Sequence, residues 1–113
     1  RVAGRDLKLE KSSFYTARHP RTAVGKKSDG TVILLTADGR STQAAGLSLT
    51  ELQKIMKWLG ARYAINLDGG GSTTMYVAGG SDNGVVNHPS DNKLFDNMGQ
   101  RKVANAILVH KAK

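Results

Sequence analysis

A run of three glycines between an aspartate and a serine limits the folds open to this chain more than any other feature. Gly69, Gly70 and Gly71 follow residues 62–67, a short apolar segment predicted as a strand that leads directly into Asp68. Glycine loses more conformational freedom on folding than any other residue, so the fold must need unusual dihedral angles or absent side chains here. The sequence therefore predicts a sharp bend beside a carboxylate at the end of a strand.

Two uses of this bend are open. In the first, the amides of Gly69, Gly70 and Gly71 form an anion-binding nest, and Ser72 and Thr73 add hydroxyl groups. In the second, the glycines make a tight turn and the preceding aspartate caps a backbone amide, the commoner fate of an Asp-Gly pair. The third glycine and the hydroxyl run 72–74 favour the first use, with a phosphate group as the ligand.

Familiar glycine and serine motifs do not account for the bend. The spaced Gly-Lys-Ser ending of a Walker loop is missing, and contiguous glycines differ from a dinucleotide fingerprint. The Gly-x-Ser-x-Gly elbow of serine hydrolases is absent too. As a nucleophile Ser72 would need a basic partner, and no known spacing places His19, His88 or His110 beside it.

The pattern before the bend predicts a hairpin followed by a helix. Residues 22–26 and 31–36 read as strands around the turn-forming residues 28–30, and the second strand is apolar on both faces, which predicts a covered, interior strand. Ser48 and Glu51 form a capping box at a helix start. Apolar residues then recur on one helix face until Gly60, which supplies the stop; they are Leu52, Ile55, Met56 and Leu59.

The remaining segments read as two strands around a long loop. Residues 73–77 and 103–109 are predicted strands, the latter covered on both faces, and residues 81–100 have the polar composition of a surface loop. Residues 1–17 are read as an arm or as the remnant of a missing half. The prediction is a single α+β unit over residues 1–113, with a mixed β-sheet packed against at least one α-helix as the C-terminal part of a larger domain.

Composition narrows the partners. The formal net charge is +8, with much of the excess before position 28, and no apolar run approaches the roughly 20 residues of a membrane helix. No sequence-specific nucleic-acid motif is present. The positive charge would suit an enzyme with an anionic substrate. It would equally suit a noncatalytic cell-wall or polyanion-binding module, and this is the alternative function. The chain has no cysteine, which fits a bacterial protein in any compartment.

Several side chains outside the bend are candidates for the site. Arg21 and Arg101 lie at predicted strand boundaries, where a planar guanidinium can bind two phosphate oxygens. Asn87 and Asp91 would reach in from the long loop, and His88 is a secondary acid candidate because its usual pKa is about 6.5. With Asp68, Asn87 and Asp91 offer oxygen donors that Ca²⁺ or Mg²⁺ accepts, but no spacing requires a metal.

Several blocks of the sequence, in a fixed order, carry a resemblance to a known family. The main block is the apolar strand with its glycine bend, residues 64–75, preceded by residues 46–52 and 59–61, and shorter blocks lie at residues 21–25, 38–40, 86–91 and 101–106. Through these blocks the chain resembles the phosphodiester glycosidase family over about residues 18–110. The family also has an earlier half with an Asn-Gly-Gly-aromatic stretch, and residues 1–17 do not resemble it.

The resemblance implies a hydrolase of sugar 1-phosphodiesters, with N-acetylglucosamine as the family's sugar. Asp68 would act as base or orient a catalytic group, and Arg21 and Arg101 would stabilise the departing phosphate. The glycines with Ser72 and Thr73 would hold substrate oxygens. It further implies a secreted or cell-surface protein, no required cofactor, and a missing half that the rest of the protein, a second chain or a second copy would supply.

Overall fold

A three-stranded antiparallel sheet forms the centre of the computed structural model, which describes residues 16–81 and 83–110. Strand β1 (Arg21–Lys26) pairs with β2 (Val32–Ala37) in the predicted hairpin, and Lys27 N donates to Thr31 O (2.9 Å) at the turn. Strand β3 (Tyr63–Asn66) pairs with the other edge of β1. Because an α-helix packs beside this sheet in the described part of the chain, the predicted α+β class is confirmed.

The helix α1 (Leu49–Trp58) begins and ends where the sequence predicts. Ser48 Oγ accepts a hydrogen bond from Glu51 N (3.2 Å), and Glu51 Oε1 accepts one from Ser48 N (2.9 Å), so the capping box is confirmed. Gly60 follows the helix with φ +95°, a left-handed conformation that glycine adopts without steric cost. None of the described helices is long and apolar enough to cross a membrane.

The core lies between α1 and one face of the sheet. Leu52 and Met56 of the helix are buried against Ala23 of β1, and partly buried Ile33 and Leu35 of β2 extend this cluster. Side chains alternate between the faces of a strand, so only one face of each strand contributes to the core. The apolar stripe predicted on the helix is therefore the surface that holds α1 to the sheet.

The prediction that the second strand lies inside the sheet is wrong. The central strand is β1, in the order β2-β1-β3, and within the described residues β2 pairs only with β1. Val32 and Leu34 point away from the helix and are 59% and 40% exposed. An apolar run marks residues that can be covered on both faces, but which strand is central depends on pairings with distant residues.

Neither strand predicted after the bend forms as such. In residues 73–77, Tyr76 makes an isolated antiparallel bridge to Val85, and residues 101–110 are exposed and irregular. A strand is stable only when a neighbour satisfies its amides and carbonyls, and no described strand pairs with residues 103–109. The predicted closing strand, covered on both faces, is therefore wrong for the described part of the chain.

The loop predicted over residues 81–100 is irregular but not wholly superficial. A single 3₁₀ turn covers Ser90–Asn92, while Val85, Asn87 and Pro89 are buried. These buried positions attach the loop to the segment that follows the glycine bend. Of the predicted N-terminal arm, residues 1–15 lie outside the described residues, and His19 forms an antiparallel bridge with Leu47.

Candidate active site

The antiparallel pairing brings three chain segments to one end of the sheet. Arg21 begins β1 opposite Ala37, the last residue of β2, and Ala23 lies opposite Asn66, the last residue of β3. The segments that follow β2 and β3 therefore meet beside the start of β1. These segments carry a cluster of charged and glycine residues: Asp38, Arg40, Asp68 and the three glycines.

The glycine bend is a tight 3₁₀ turn with few free amides. Gly70 has φ +59° and its amide donates to Pro20 O (2.9 Å), while Ser72 N and Thr73 N donate to carbonyls within the bend. Among the described residues, no acceptor is hydrogen bonded to the amides of Gly69 and Gly71. Two amides rather than a continuous nest therefore lack a hydrogen-bond partner, and one of them belongs to the buried Gly71.

Two clefts of similar size lie on either side of the bend. One, of about 460 Å³, contains Gly71, Ser90, Asp91, Lys93 and Arg101. The other, of about 470 Å³, contains Asp68 with the flanking segments 19–21 and 66–70. Arg40 lines both clefts. Asp68 is exposed in the second cleft, so its side chain is accessible to a ligand there.

Arg101 is fixed over the bend by Asp91. Its Nη2 and Nε donate to Asp91 Oδ1 at 2.7 and 3.1 Å, and the pair lies so close to Gly71 that any side chain there would collide with it. This hydrogen bond raises the pKa of Arg101, with a further contribution from the charge of Asp68, and it lowers the pKa of Asp91. The predicted residues Arg101, Asp91, Asp68 and Gly71 are therefore neighbours in the fold.

Arg21 borders the second cleft but is used mainly inside the protein. It is only 3% exposed, its Nε donates to Leu47 O (2.9 Å), and its Nη2 donates to Ala17 O (3.1 Å). Burial lowers the pKa of Arg21, yet a guanidinium keeps its charge at any physiological pH. Arg21 therefore brings a fixed positive charge to the cleft while holding the start of β1 to two neighbouring segments.

Asn87 and Thr73, both predicted to bind substrate, lie behind the bend. Asn87 Nδ2 donates to Thr73 O (2.9 Å) and Asp38 Oδ1 (3.0 Å), and its Oδ1 accepts from Met75 N (2.8 Å). Thr73 has no exposed surface, and its hydroxyl accepts a hydrogen bond from Thr22 (3.2 Å). These side chains support the bend from the interior, and their predicted substrate contact stays a prediction.

Asp38 is a site residue that the sequence reasoning did not single out. Besides Asn87, it accepts hydrogen bonds from the backbone amide and the ring Nδ1 of His88, each at 2.9 Å. The His88 ring also stacks on Phe95 at 4.0 Å, and it lines neither cleft. The available signal in the sequence was an aspartate directly after a predicted strand, followed by Gly39.

Two serine hydroxyls and the suggested metal ion remain to be placed relative to the clefts. Ser72, a predicted ligand, is half-buried in the 3₁₀ turn. Ser90, which was not predicted, lines the first cleft and has a buried hydroxyl with no hydrogen-bond partner in the described structure. Within the described ranges, no three His, Asp or Glu side chains lie close enough to hold a metal ion. The suggested divalent cation stays a prediction.

Comparison with known proteins gives a consistent family. The family model described as phosphodiester glycosidase matches residues 3–110. The chain is similar to the N-acetylglucosamine-1-phosphodiester alpha-N-acetylglucosaminidases of mouse (40% identity) and human (37% identity), over 101 residues and 88% of this chain in each case. The chain spans only 18% of the length of these relatives.

Solved structures support the same relationship. A Burkholderia pseudomallei protein, provisionally described as exported, is 46% identical with a TM-score of 0.61, over 71% of this chain and 15% of that chain. The catalytic domain of zebrafish N-acetylglucosamine-1-phosphodiester alpha-N-acetylglucosaminidase is 37% identical with a TM-score of 0.58. That alignment covers 67% of this chain and 23% of the zebrafish chain.

Proposed function

The chain belongs to the phosphodiester glycosidase family, and we propose on that basis that it carries part of the active site of a hydrolase that cleaves sugar 1-phosphodiesters. Water would replace the phosphate at the anomeric carbon, so that the bond from that carbon to the phosphate oxygen breaks. The products would be the free sugar and a phosphate monoester. The observation that supports this most is the exposed Asp68 in one of the two arginine-lined clefts that flank the glycine bend.

The charge of the clefts suits the leaving group. Negative charge grows on the phosphate oxygens as the bond breaks, and fixed positive groups already aimed at these oxygens stabilise the transition state. Arg101 would provide such a group in the first cleft, and Arg21 would add its buried charge beside the second. The amides of Gly69 and Gly71, which have no described hydrogen-bond partner, would donate to the same oxygens.

Asp68 would be the base that removes a proton from the attacking water. A departing phosphate needs little protonation, so the general acid of ordinary glycoside hydrolysis is less necessary here. His88 stays a secondary acid candidate, although its ring is held by Asp38 outside the two clefts. Ser72 and Asp91 would contact substrate, while Thr73 and Asn87 would hold the bend in place.

The named relatives suggest the sugar and the location. Mouse and human relatives act, by their names, on N-acetylglucosamine-1-phosphodiesters, so we propose an N-acetylglucosaminyl phosphodiester as substrate and an exported protein. The chain spans 18% of these relatives' length, and the complete site would need the remainder of such a domain. That remainder, a second chain or a second copy would complete the sheet.

We expect the full-length protein to release sugar from N-acetylglucosamine 1-phosphodiesters and to leave simple aryl glycosides of the same sugar nearly untouched. The two substrates share the sugar and differ in the charge of the leaving group, which is the feature the clefts fit. Chromatographic measurement of free sugar with both substrates tests this. Equal rates on both would show that the phosphate is not recognised, and phosphodiester binding without any cleavage would support a binding module instead.

A further inference from the structure

We infer that Arg40, the residue shared by the two clefts, is the main phosphate-binding side chain of the site, an assignment that rests on the proposed function and makes it more specific. Arg40 is exposed, and its guanidinium lies directly against Gly70. A methyl group added at Gly70 would lie 3.0 Å from Arg40 Nη2. Because Gly70 has no side chain, this guanidinium can approach the backbone next to the amides of Gly69 and Gly71.

The charge of Arg40 is not neutralised by any carboxylate of the described residues. In the described structure Arg101 is paired with Asp91 and Arg18 with Glu51, while Arg21 donates to backbone carbonyls. No described carboxylate lies within salt-bridge distance of Arg40, whose one hydrogen-bonding contact is with His19 Nδ1 at 3.4 Å. A guanidinium without a carboxylate partner keeps its hydrogen-bond donors available for a ligand oxygen.

His19 holds Arg40 without cancelling its charge. Desolvation, and then the positive charges of Arg40 and Arg21, lower the pKa of His19, which favours the neutral form of the ring. Because a guanidinium can only donate, the Nδ1 atom of this neutral ring must act as the acceptor. The contact gives Arg40 a partner that carries no negative charge, so its positive charge remains available to the clefts that it lines.

The backbone at Arg40 also fits a functional position. Arg40 has φ +57° and Lys93 has φ +60°, and these are the two non-glycine residues with positive φ among those described. Both are cations, and both line the first cleft. Residues with side chains rarely adopt this conformation, and such strain is found most often at binding and catalytic sites. The two strained positions therefore aim positive charge at the same space.

Arg40 would bind the nonbridging oxygens of the phosphodiester and hold them as the phosphate departs. Its planar guanidinium can contact two oxygens at once. Since the phosphate joins the sugar to the aglycone, a residue that lines both clefts is well placed to bind it. Arg101, already paired with Asp91, would contribute less to binding than Arg40. The sugar and the aglycone would then occupy the clefts on either side.

Binding of inorganic phosphate to the full-length protein, measured by titration calorimetry, tests this assignment. We expect Arg40→Gln to weaken phosphate affinity roughly 10- to 100-fold, because hydrogen bonds to a charged group are lost. Arg62→Gln is the matched control, since Arg62 is exposed, lines neither cleft and lies over the ring of Tyr63 at 5.8 Å. It should bind phosphate as the wild type does.

Hydrolysis separates this assignment from the proposed function. Phosphate binding that is lost in Arg40→Gln, in a protein that cleaves no sugar phosphodiester, supports the assignment and contradicts the proposed function. Cleavage and phosphate affinity within twofold of wild type in Arg40→Gln overturn the assignment alone, and so does a wild type that binds no phosphate. If Arg40→Gln fails to fold, Arg40→Gly accepts the positive φ without strain and gives the same test.

Discussion

Replacing Asp68 with Asn is expected to reduce the kcat for sugar phosphodiester cleavage by about 10²- to 10⁴-fold, the usual contribution of a general base. The amide has nearly the same shape but cannot accept a proton from the attacking water. Asp68 is exposed two residues beyond the end of β3, so the substitution should leave the melting temperature almost unchanged. Steady-state rates of sugar release, with KM measured in parallel, give the effect.

Asp29→Asn is the matched control for this substitution. Asp29 lies in the turn between β1 and β2, where its Oδ1 accepts from Thr31 N (2.9 Å), and an asparagine keeps that acceptor. Activity of the control should equal that of the wild type. Undiminished cleavage in Asp68→Asn would exclude Asp68 as the base and leave the glycine bend as a binding element at most.

Replacing Asn87 with Ala is expected to lower the free energy of unfolding by about 2–4 kcal/mol, because buried hydrogen-bonding groups lose their partner. The side chain joins Asp38, which follows β2, to Thr73 and Met75, which follow the glycine bend. Without it, the Met75 amide and the Thr73 carbonyl are left unpaired behind the bend. Chemical denaturation, with the midpoint and slope fitted together, measures the loss.

Two further variants make the Asn87 experiment specific. Asn87→Asp keeps the acceptor for Met75 N but places a carboxylate against Asp38, so it should destabilise at least as much as alanine. Asn66→Ala, at an exposed position of β3, should change the unfolding free energy by less than about 0.5 kcal/mol. A stability for Asn87→Ala within that same range would mean that the bend does not depend on this side chain.

Local sequence patterns predicted the elements whose stabilising contacts are local. The capping box of Ser48 and Glu51 closes within four residues, and the hairpin turn at residues 27–31 is specified by its own residues. Strand position depends instead on pairing with distant segments. For that reason β2 was wrongly placed in the interior, and residues 103–109 were wrongly predicted as a covered strand.

The sequence predicted many of the residues that form the site, but it did not predict which arginine is available to bind a ligand. The glycine bend and the strand-boundary arginines marked its place, since such residues are unusual at those positions. Whether a guanidinium can bind a ligand depends on its partners in the fold, which the sequence does not show. Arg101 pairs with a carboxylate and Arg21 donates to backbone carbonyls, whereas no described carboxylate pairs with Arg40. Asp38 was likewise missed because its partners Asn87 and His88 lie about fifty residues away.

A crystal structure of the full-length Asp68→Asn protein with an intact N-acetylglucosamine 1-phosphodiester would test the central claim most directly. The slow variant should retain its substrate, and we predict phosphate oxygens within hydrogen-bond distance of the Gly69 or Gly71 amide and of the Arg40 guanidinium. Substrate bound at another surface, with the glycine bend and both clefts empty, would contradict the account.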